Sequence, residues 1–337
     1  MTRDIDPRLL RAFVAVAEEL HFTRAAARLY TAQQALSRDI GRLERELGVD
    51  LFVRTTRQVA PTADAERLLP YARRLLLAQD ELLAAAAGTG RPLLVDLNSA
   101  GMTSGRVLAL ARELAPDCEL MARYESGLTG AAAEIAAGRL DVSFGRFAGL
   151  APAARTALDH LPVRLEPMAV LLPEDHPLAA LERVPLDALA GESVYAGAGN
   201  PRTREWTDLA ILLFDGRDVA VAPPAPMAVG AEEFRRVMAK NRTPVLAVTG
   251  FPPMPGTVCR PITDPVPLSP LSMVWRRGLR HPGLDALRTA AARLAADEGW
   301  LRRTPGEWLP DQDAAVMRTA GRGPGRPGAL TAEAPAE

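Results

Sequence analysis

The run Gln33-Gln34-Ala35-Leu36-Ser37-Arg38-Asp39-Ile40-Gly41-Arg42-Leu43-Glu44-Arg45-Glu46-Leu47-Gly48 is written in helical periodicity. Leu36, Ile40, Leu43 and Leu47 recur at i, i+4, i+7 and i+11, the apolar stripe of an amphipathic helix. Gly48, directly after Leu47, is a C-terminal stop. The opposite face carries Gln34, Ser37, Arg38, Gly41, Arg42 and Arg45. These residue types read and hold DNA: glutamine pairs bidentately with adenine, arginine with guanine, and serine or arginine binds phosphate. Gly41 would let the backbone approach a partner closely. On pattern alone a solvated helix face reads equally well, because polar residues opposite an apolar stripe are expected on any surface helix.

Working outward, Leu10, Phe13, Val14 and Ala17 mark a preceding helix. Thr23 is suited to cap a second one, with Ala26, Leu29 and Tyr30 on its inner side. Only a few residues separate that helix from the one at Gln33, the spacing of a helix-turn-helix. On the other side, two short apolar stretches, residues 49–53 and 59–62, flank the polar turn Arg54-Thr55-Thr56-Arg57-Gln58 and predict a β-hairpin. A hairpin directly after a recognition helix is a wing, and Arg54 and Arg57 could reach the DNA backbone or minor groove.

Taken together these segments resemble the LysR-type transcriptional regulators. The resemblance is carried by Leu10-Arg11-Ala12-Phe13-Val14-Ala15-Val16-Ala17-Glu18-Glu19, Phe22-Thr23-Arg24-Ala25-Ala26-Ala27-Arg28-Leu29 and Gln33 through Gly48. Leu51-Phe52-Val53-Arg54, Arg57 and Pro61-Thr62 complete it. It runs over about 60 contiguous residues without a gap, far more than a single motif offers. It implies that Gln33, Gln34, Ser37, Arg38 and Arg42 face the major groove, with Arg54 and Arg57 in the wing and Thr23 and Thr31 on phosphates near helix starts. Three positions depart from the family: Gln34 stands where Pro is usual, Ala32 where Ser or Thr is frequent, and Thr31 where an aliphatic residue is usual. Proline preorganises a first helical turn and serine caps it, so a shifted or looser helix start is expected.

Residues 62–87 form one long Ala/Leu/Arg helix pattern, with Thr62 able to cap it and Asp64 and Glu66 suited to its positive end. Leu68, Ala72, Leu75, Gln79, Leu82 and Ala86 follow a 3-4 spacing, and the family resemblance makes this seam the dimer contact. After a Gly/Pro linker, strand-like and helix-like segments alternate to about residue 300, which implies parallel sheet with ligand at the carboxyl ends of strands. The fold expected is multidomain, α and α/β. Residues 1–61 are a winged helix-turn-helix, and 62–90 a linker and dimerisation helix with its hinge. Residues 91–303 are a two-lobed, periplasmic-binding-protein-like effector domain, with lobe one at 91–163 and 268–303 and lobe two at 164–267. Residues 304–337 are expected to be a disordered tail; within it Gly321-Arg322-Gly323-Pro324 resembles a minor-groove hook, though low-complexity composition is the favoured reading.

In that resemblance the cleft is lined by Ser99, Met102, Thr103, Thr129, Phe144, Arg146, Asn200, Pro201 and Arg202. Hydroxyl and backbone donors at helix starts, with two arginines, suit a carboxylate or aromatic acid effector. The bland alternative is that both arginines form structural ion pairs.

The 337 residues carry a net charge of −1, which neither favours nor excludes nucleic acid, and Lys240 is the only lysine among 40 cations. Cys118 and Cys259 lack any C-x-x-C spacing and read as small buried hydrophobes. The four histidines have no metal-ligand spacing, and no cofactor is implied. The polar N-terminus is unlike a signal peptide and no apolar run is long enough to span a bilayer, so the expected place is the cytoplasm. An enzyme lacks a nucleophile motif here, and a solute-binding protein would need an export signal. The function implied is effector-modulated transcriptional control of double-stranded promoter DNA by a homodimer or tetramer. RNA polymerase is a further partner, and a ligand-independent sensing domain is the alternative.

Overall fold

The computed structural model describes residues 4–54, 59–86, 91–97, 101–124, 127–224 and 231–318. The chain divides into two compact units, residues 1–92 with 133–141, and residues 93–132 with 142–337.

In the first unit α1 (Pro7–Glu19), α2 (Phe22–Arg28) and α3 (Gln33–Leu47) precede the hairpin β1 (Phe52–Arg54) and β2 (Val59–Pro61), and α4 (Ala63–Ala86) follows. Pro7 occupies the first turn of α1 and Asp6 caps it, accepting from the Arg8 amide at 2.9 Å. The buried face of α1 is broader than the sequence stripe: Leu9, Leu10, Ala12, Phe13, Ala15 and Val16 are buried, whereas Val14 and Ala17 are only partly so. Two expectations for α2 fail. His21, not Thr23, caps it, its Nδ1 accepting from the Thr23 amide at 3.2 Å. Tyr30 lies beyond the helix with φ 54° and 98% exposed, so it is no inner residue.

The start of α3 stays at Gln33 despite the missing serine and proline; Ala32 precedes it with no side-chain cap bond, and Gly48 closes it at φ 76°. Leu36, Ile40 and Leu43 are buried as the stripe requires, and Leu47 is partly so. The wing is rooted in that core. Phe52 meets Phe13 and Phe22 edge-on, with ring centroids 5.8 and 6.2 Å apart. Glu44 on α3 accepts from the amides of Leu51 and Phe52 at 2.9 and 3.3 Å.

Thr62 caps α4, its Oγ1 accepting from the Ala65 amide at 3.1 Å. The seam expected along α4 splits in two. Ala72 is buried and Leu68 partly buried in the helix-turn-helix core, and Gln79 accepts from Arg11 on α1 at 3.1 Å. Glu18 adds an ionic tie, 2.7 Å from Arg73 on α4 and 2.8 Å from Arg28 on α2. The apolar residues left open are instead Tyr71, Leu75, Leu82 and Leu83.

The second unit contains β3 (Leu93–Asp96), α5 (Thr103–Leu114), β4 (Leu120–Arg123), α6 (Leu128–Ala136, whose last residues group with the first unit), β5 (Val142–Gly145) and α7 (Pro152–Thr156). The 16-residue β6 (Leu158–Pro173) follows, then β7 (Val184–Pro185), β8 (Ser193–Val194), α8 (Arg204–Phe214), β9 (Ala220–Val221), α9 (Ala231–Asn241), β10 (Val245–Val248) and β11 (Thr257–Thr263). The chain returns through β12 (Leu268–Arg276), α10 (Pro282–Asp297) and α11 (Asp311–Met317).

The sheet order is β4-β3-β5-β12-β6-β11-β7, with β10 also on β6. Parallel sheet is a partial account of it: β3 pairs parallel with β4 and β5, whereas β12 is antiparallel to β5 and β6, and β10 and β11 are antiparallel to β6. The cause lies in β6: its first part, residues 158–167, pairs with β12, and its second part, residues 168–173, pairs with β10 and β11, so one strand runs from one lobe into the other. Two apolar cores result, one around β3, α5, β12 and α10, the other around the second half of β6, α8 and Leu246.

The disordered tail expected at 304–337 does not begin at 304. Leu309, Ala314 and Met317 are buried against Leu165 and Leu268, and the amides of Leu268 and Trp308 bond to Trp308 and Val266 carbonyls. Residues 319–337, with the Gly-Arg-Pro run, lie outside the described residues. Both cysteines are free thiols and only half-buried. Among the described residues no helix is long and apolar enough to cross a membrane, and no group of acidic, His and Cys side chains could hold a metal.

Candidate nucleic-acid interface and sensing cleft

Gln34, Ser37, Arg38, Asp39, Gly41, Arg42 and Arg45 line one open, shallow concavity along α3. Leu36, Ile40 and Leu43 anchor the helix from behind, so its polar side is presented by a rigid element. Gln33, Gln34, Arg38 and Arg42 are exposed and Ser37 is half-exposed. Arg38 has no ion pair among the described residues. Arg42 donates to Glu46 one turn on at 2.8 Å, and that carboxylate beside it raises its pKa further. Asp39 is bonded by the Arg8 guanidinium at 2.9–3.1 Å, so the one carboxylate lining the concavity is already paired.

Thr23 and Thr31 are exposed at the ends of α2, and the Thr23 hydroxyl donates to Gln33 Oε1 at 3.3 Å. The structure therefore groups Thr23, Gln33, Gln34, Ser37, Arg38 and Arg42 in one neighbourhood. Arg54 ends β1; its side chain, like Arg57 altogether, lies outside the described residues. Tyr30, expected on the inner side of α2, lies instead in the turn between α2 and α3, with φ 54° and 98% exposed.

The cleft expected in the second unit is brought together in part, and several of its donors are already used. Thr103, at the start of α5, donates to Glu166 Oε1 at 2.6 Å and accepts from Arg164 at 3.1 Å. At the start of α6, the Leu128 and Thr129 amides donate to Glu205 at 2.8 and 3.1 Å, and the Thr129 hydroxyl donates to the same carboxylate. Arg146 is buried and bonds Asp313 through Nε and Nη2 at 2.7–3.1 Å, with Nη1 3.4 Å from the Glu205 carbonyl oxygen. The structural ion pair is thus the reading that holds for Arg146.

Phe144 is a second correction. It is 1% exposed within the lobe-one core, because alternation along β5 turns it inward rather than to the cleft. Met102 is half-buried ahead of α5 with no capping bond, Asn200 accepts from the Arg202 amide at 3.0 Å, and Pro201 and Arg202 are exposed. Ser99 lies outside the described residues. A Cβ on Gly127 would fall 2.2 Å from the Arg202 carbonyl oxygen, and one on Gly130 2.9 Å from the Arg202 side chain. The loop of lobe two is therefore pressed onto the start of α6. Glu205 and Asp313 were missed as cleft residues, since neither belongs to a motif; the amphipathic spacing of Leu309, Ala314 and Met317 was the available signal for α11.

Glu166 supplies a pH test. Burial raises its pKa, against the opposing effects of the Thr103 hydrogen bond and the Arg164 charge. A carboxyl whose folded pKa is raised contributes stability that is complete below its unfolded value, about 4.3, and is lost as pH rises through the folded value. Glu166→Gln is accordingly expected to lose less of its thermal midpoint than wild type as pH rises above the unfolded value of about 4.3. Superimposable pH profiles by calorimetry would contradict this.

Residues 7–66 match the model of the bacterial regulatory helix-turn-helix protein, lysR family, and residues 98–213 match the LysR substrate binding domain. The uncharacterized HTH-type transcriptional regulator YnfL of Escherichia coli is 37% identical over 196 residues, 56% of this chain and 64% of the relative, so that match spans a little under two thirds of YnfL. The Hca operon transcriptional activator HcaR of E. coli is 32% identical over 306 residues, 86% of this chain and 98% of HcaR. A full-length OxyR from Pseudomonas aeruginosa superposes with a TM-score of 0.61 at 22% identity, covering 87% of this chain and 96% of that one, a likeness of fold. The chain belongs to the LysR family of helix-turn-helix transcriptional regulators.

Proposed function

We propose that this regulator acts in the cytoplasm as a homodimer or tetramer, reading promoter DNA with α3 and passing a signal from its second unit to that interface. Gln33, Gln34, Ser37, Arg38 and Arg42 read or flank base edges, Thr23 and Thr31 hold phosphates, and Arg54 and Arg57 extend the contact through the wing. The division of labour proposed is DNA binding by residues 1–61, dimerisation by 62–90 and sensing by 91–318. The observation that carries the reading is the polar side of α3: a rigid, cation-rich surface open to solvent, its single lining carboxylate already paired with Arg8. The α3 side chains sit on a helix that a major groove admits, and two copies about one DNA turn apart would read a partly palindromic site.

Pairing through α4 accounts for the open apolar residues on that helix. Tyr71, Leu75 and Leu82 recur at i, i+4 and i+11, spacing that aligns them on one side. Leu75→Glu/Leu82→Glu is expected to convert the protein to a monomer in sedimentation and to abolish tight DNA binding. A variant that stayed dimeric would exclude this part of α4 as the contact.

Control by an effector requires that the ligand bind two states of the sensing unit with different affinity. RNA polymerase is the partner through which activation would act. The test of the function is selection of genomic fragments by the full-length protein followed by footprinting: protection of discrete sites supports the reading, and uniform recovery of all duplexes refutes it.

A further inference from the structure

Three donor groups of the expected cleft are occupied by carboxylates of the chain itself. Glu166 takes the Thr103 hydroxyl, Glu205 takes the first amides of α6, and Asp313 takes the Arg146 guanidinium. We propose that the sensing unit is self-liganded: Asp313 on α11 is the built-in occupant of a buried anion site based on Arg146, and an external carboxylate reaches that site only by displacing the C-terminal helix.

Arg146 follows the last residue of β5, at the carboxyl end of a strand of the lobe-one sheet, where open α/β sheets bind ligands. It is 4% exposed and its planar fork is matched by both oxygens of one carboxylate, the geometry with which arginine recognises a free carboxylate. Gly149 is part of the same cradle: a Cβ there would lie 2.7 Å from the Glu205 side chain and 3.1 Å from Arg146 Nη1. The three elements that converge come from far apart in the chain, residue 146 after β5, residue 205 in α8 and residue 313 in α11. Asp313 alone arrives on a short helix near the chain end, held by Leu309, Ala314 and Met317. A helix of seven residues with few buried anchors opens at a low free-energy cost. Asp313 is also tethered, so its effective concentration at Arg146 exceeds that of a dilute free acid. The helix therefore sets a threshold that a free carboxylate must overcome.

The inference rests on residues 91–318 being a sensing unit, but its test is thermal and uses no DNA, so its failure and a failed footprint are separate results. The full-length chain is compared with Asp313→Ala and with Arg146→Met/Asp313→Ala, each titrated with formate and with acetate, the acids nearest in size to the deleted group. Asp313→Ala is expected to unfold about 6–20 °C lower than wild type. It should regain about 3–5 °C saturably at roughly tenfold excess over Kd. Wild type and the double variant should show no saturable rise. A rise in wild type equal to that in Asp313→Ala would mean the site is open, and a folded Asp313→Ala indifferent to both acids would mean it is no anion site; either overturns the proposal. If Asp313→Ala is recovered only as aggregate, the near-isosteric Asp313→Asn decides: an unchanged midpoint refutes the proposal. A lowered midpoint that Arg146→Gln/Asp313→Asn restores by more than half supports it.

Discussion

Arg146→Ala is expected to lower the midpoint of thermal unfolding by about 6–20 °C, as large an effect as that of Asp313→Ala. The change strands the Asp313 carboxylate, 1% exposed, without its partner. Removing one member of a buried pair costs about 3–5 kcal/mol, whereas replacing both with apolar groups of similar volume is often neutral. Arg146→Met/Asp313→Leu should therefore recover most of the loss, and scanning calorimetry separates the two. A drop below about 2 °C for Arg146→Ala, under one kcal/mol on the same scale, would show that the pair is not the lock described.

Arg38→Ala is expected to leave stability unchanged and to weaken specific DNA binding by at least about 30-fold. Arg38 is exposed on α3 with no ion pair among the described residues, so nothing in the fold depends on it. A bidentate arginine–guanine contact is worth about 1–3 kcal/mol, and a dimer on two half-sites loses it twice. Arg42→Ala should cost less than Arg38→Ala, because Arg42 must first release Glu46. Competition gel shifts on a footprinted site distinguish the two, and an Arg38→Ala protein that bound like wild type would move base reading elsewhere on α3.

The first unit was legible because its information is local. Leu36, Ile40 and Leu43 fix the face of α3, and Gly48 fixes its end, whatever the rest of the chain does. Where a second element decides the outcome, the pattern ran out. The 3-4 spacing along α4 contained two candidate seams, and only the docking of α1 shows that Leu68 and Ala72 are used internally while Tyr71, Leu75 and Leu82 are not. His21 displaced Thr23 as a cap because the helix starts at Phe22, where an imidazole two residues before Thr23 accepts from the Thr23 and Arg24 amides.

In the second unit the alternation of strands and helices was legible, but β11, the first part of β6 and the strand directions were not. Alternating strands and helices suggest parallel pairing, and nothing in the local pattern of residues 158–173 announces that one strand serves both lobes. Phe144 and Arg146 are near neighbours on the end of one strand, yet one is core and the other faces inward polar partners, a distinction set by β5's neighbours. The carboxylates that fill the cleft come from residues 166, 205 and 313, separations no local motif encodes.

Salt dependence of binding to a footprinted fragment tests most directly whether α3 and the wing, duplicated in a dimer, grip DNA. With six or more phosphates contacted, affinity should fall about 10³-fold or more between roughly 50 and 200 mM salt, while a scrambled duplex binds far more weakly throughout. Equal affinity for both duplexes, or a site-specific affinity indifferent to salt, would contradict it.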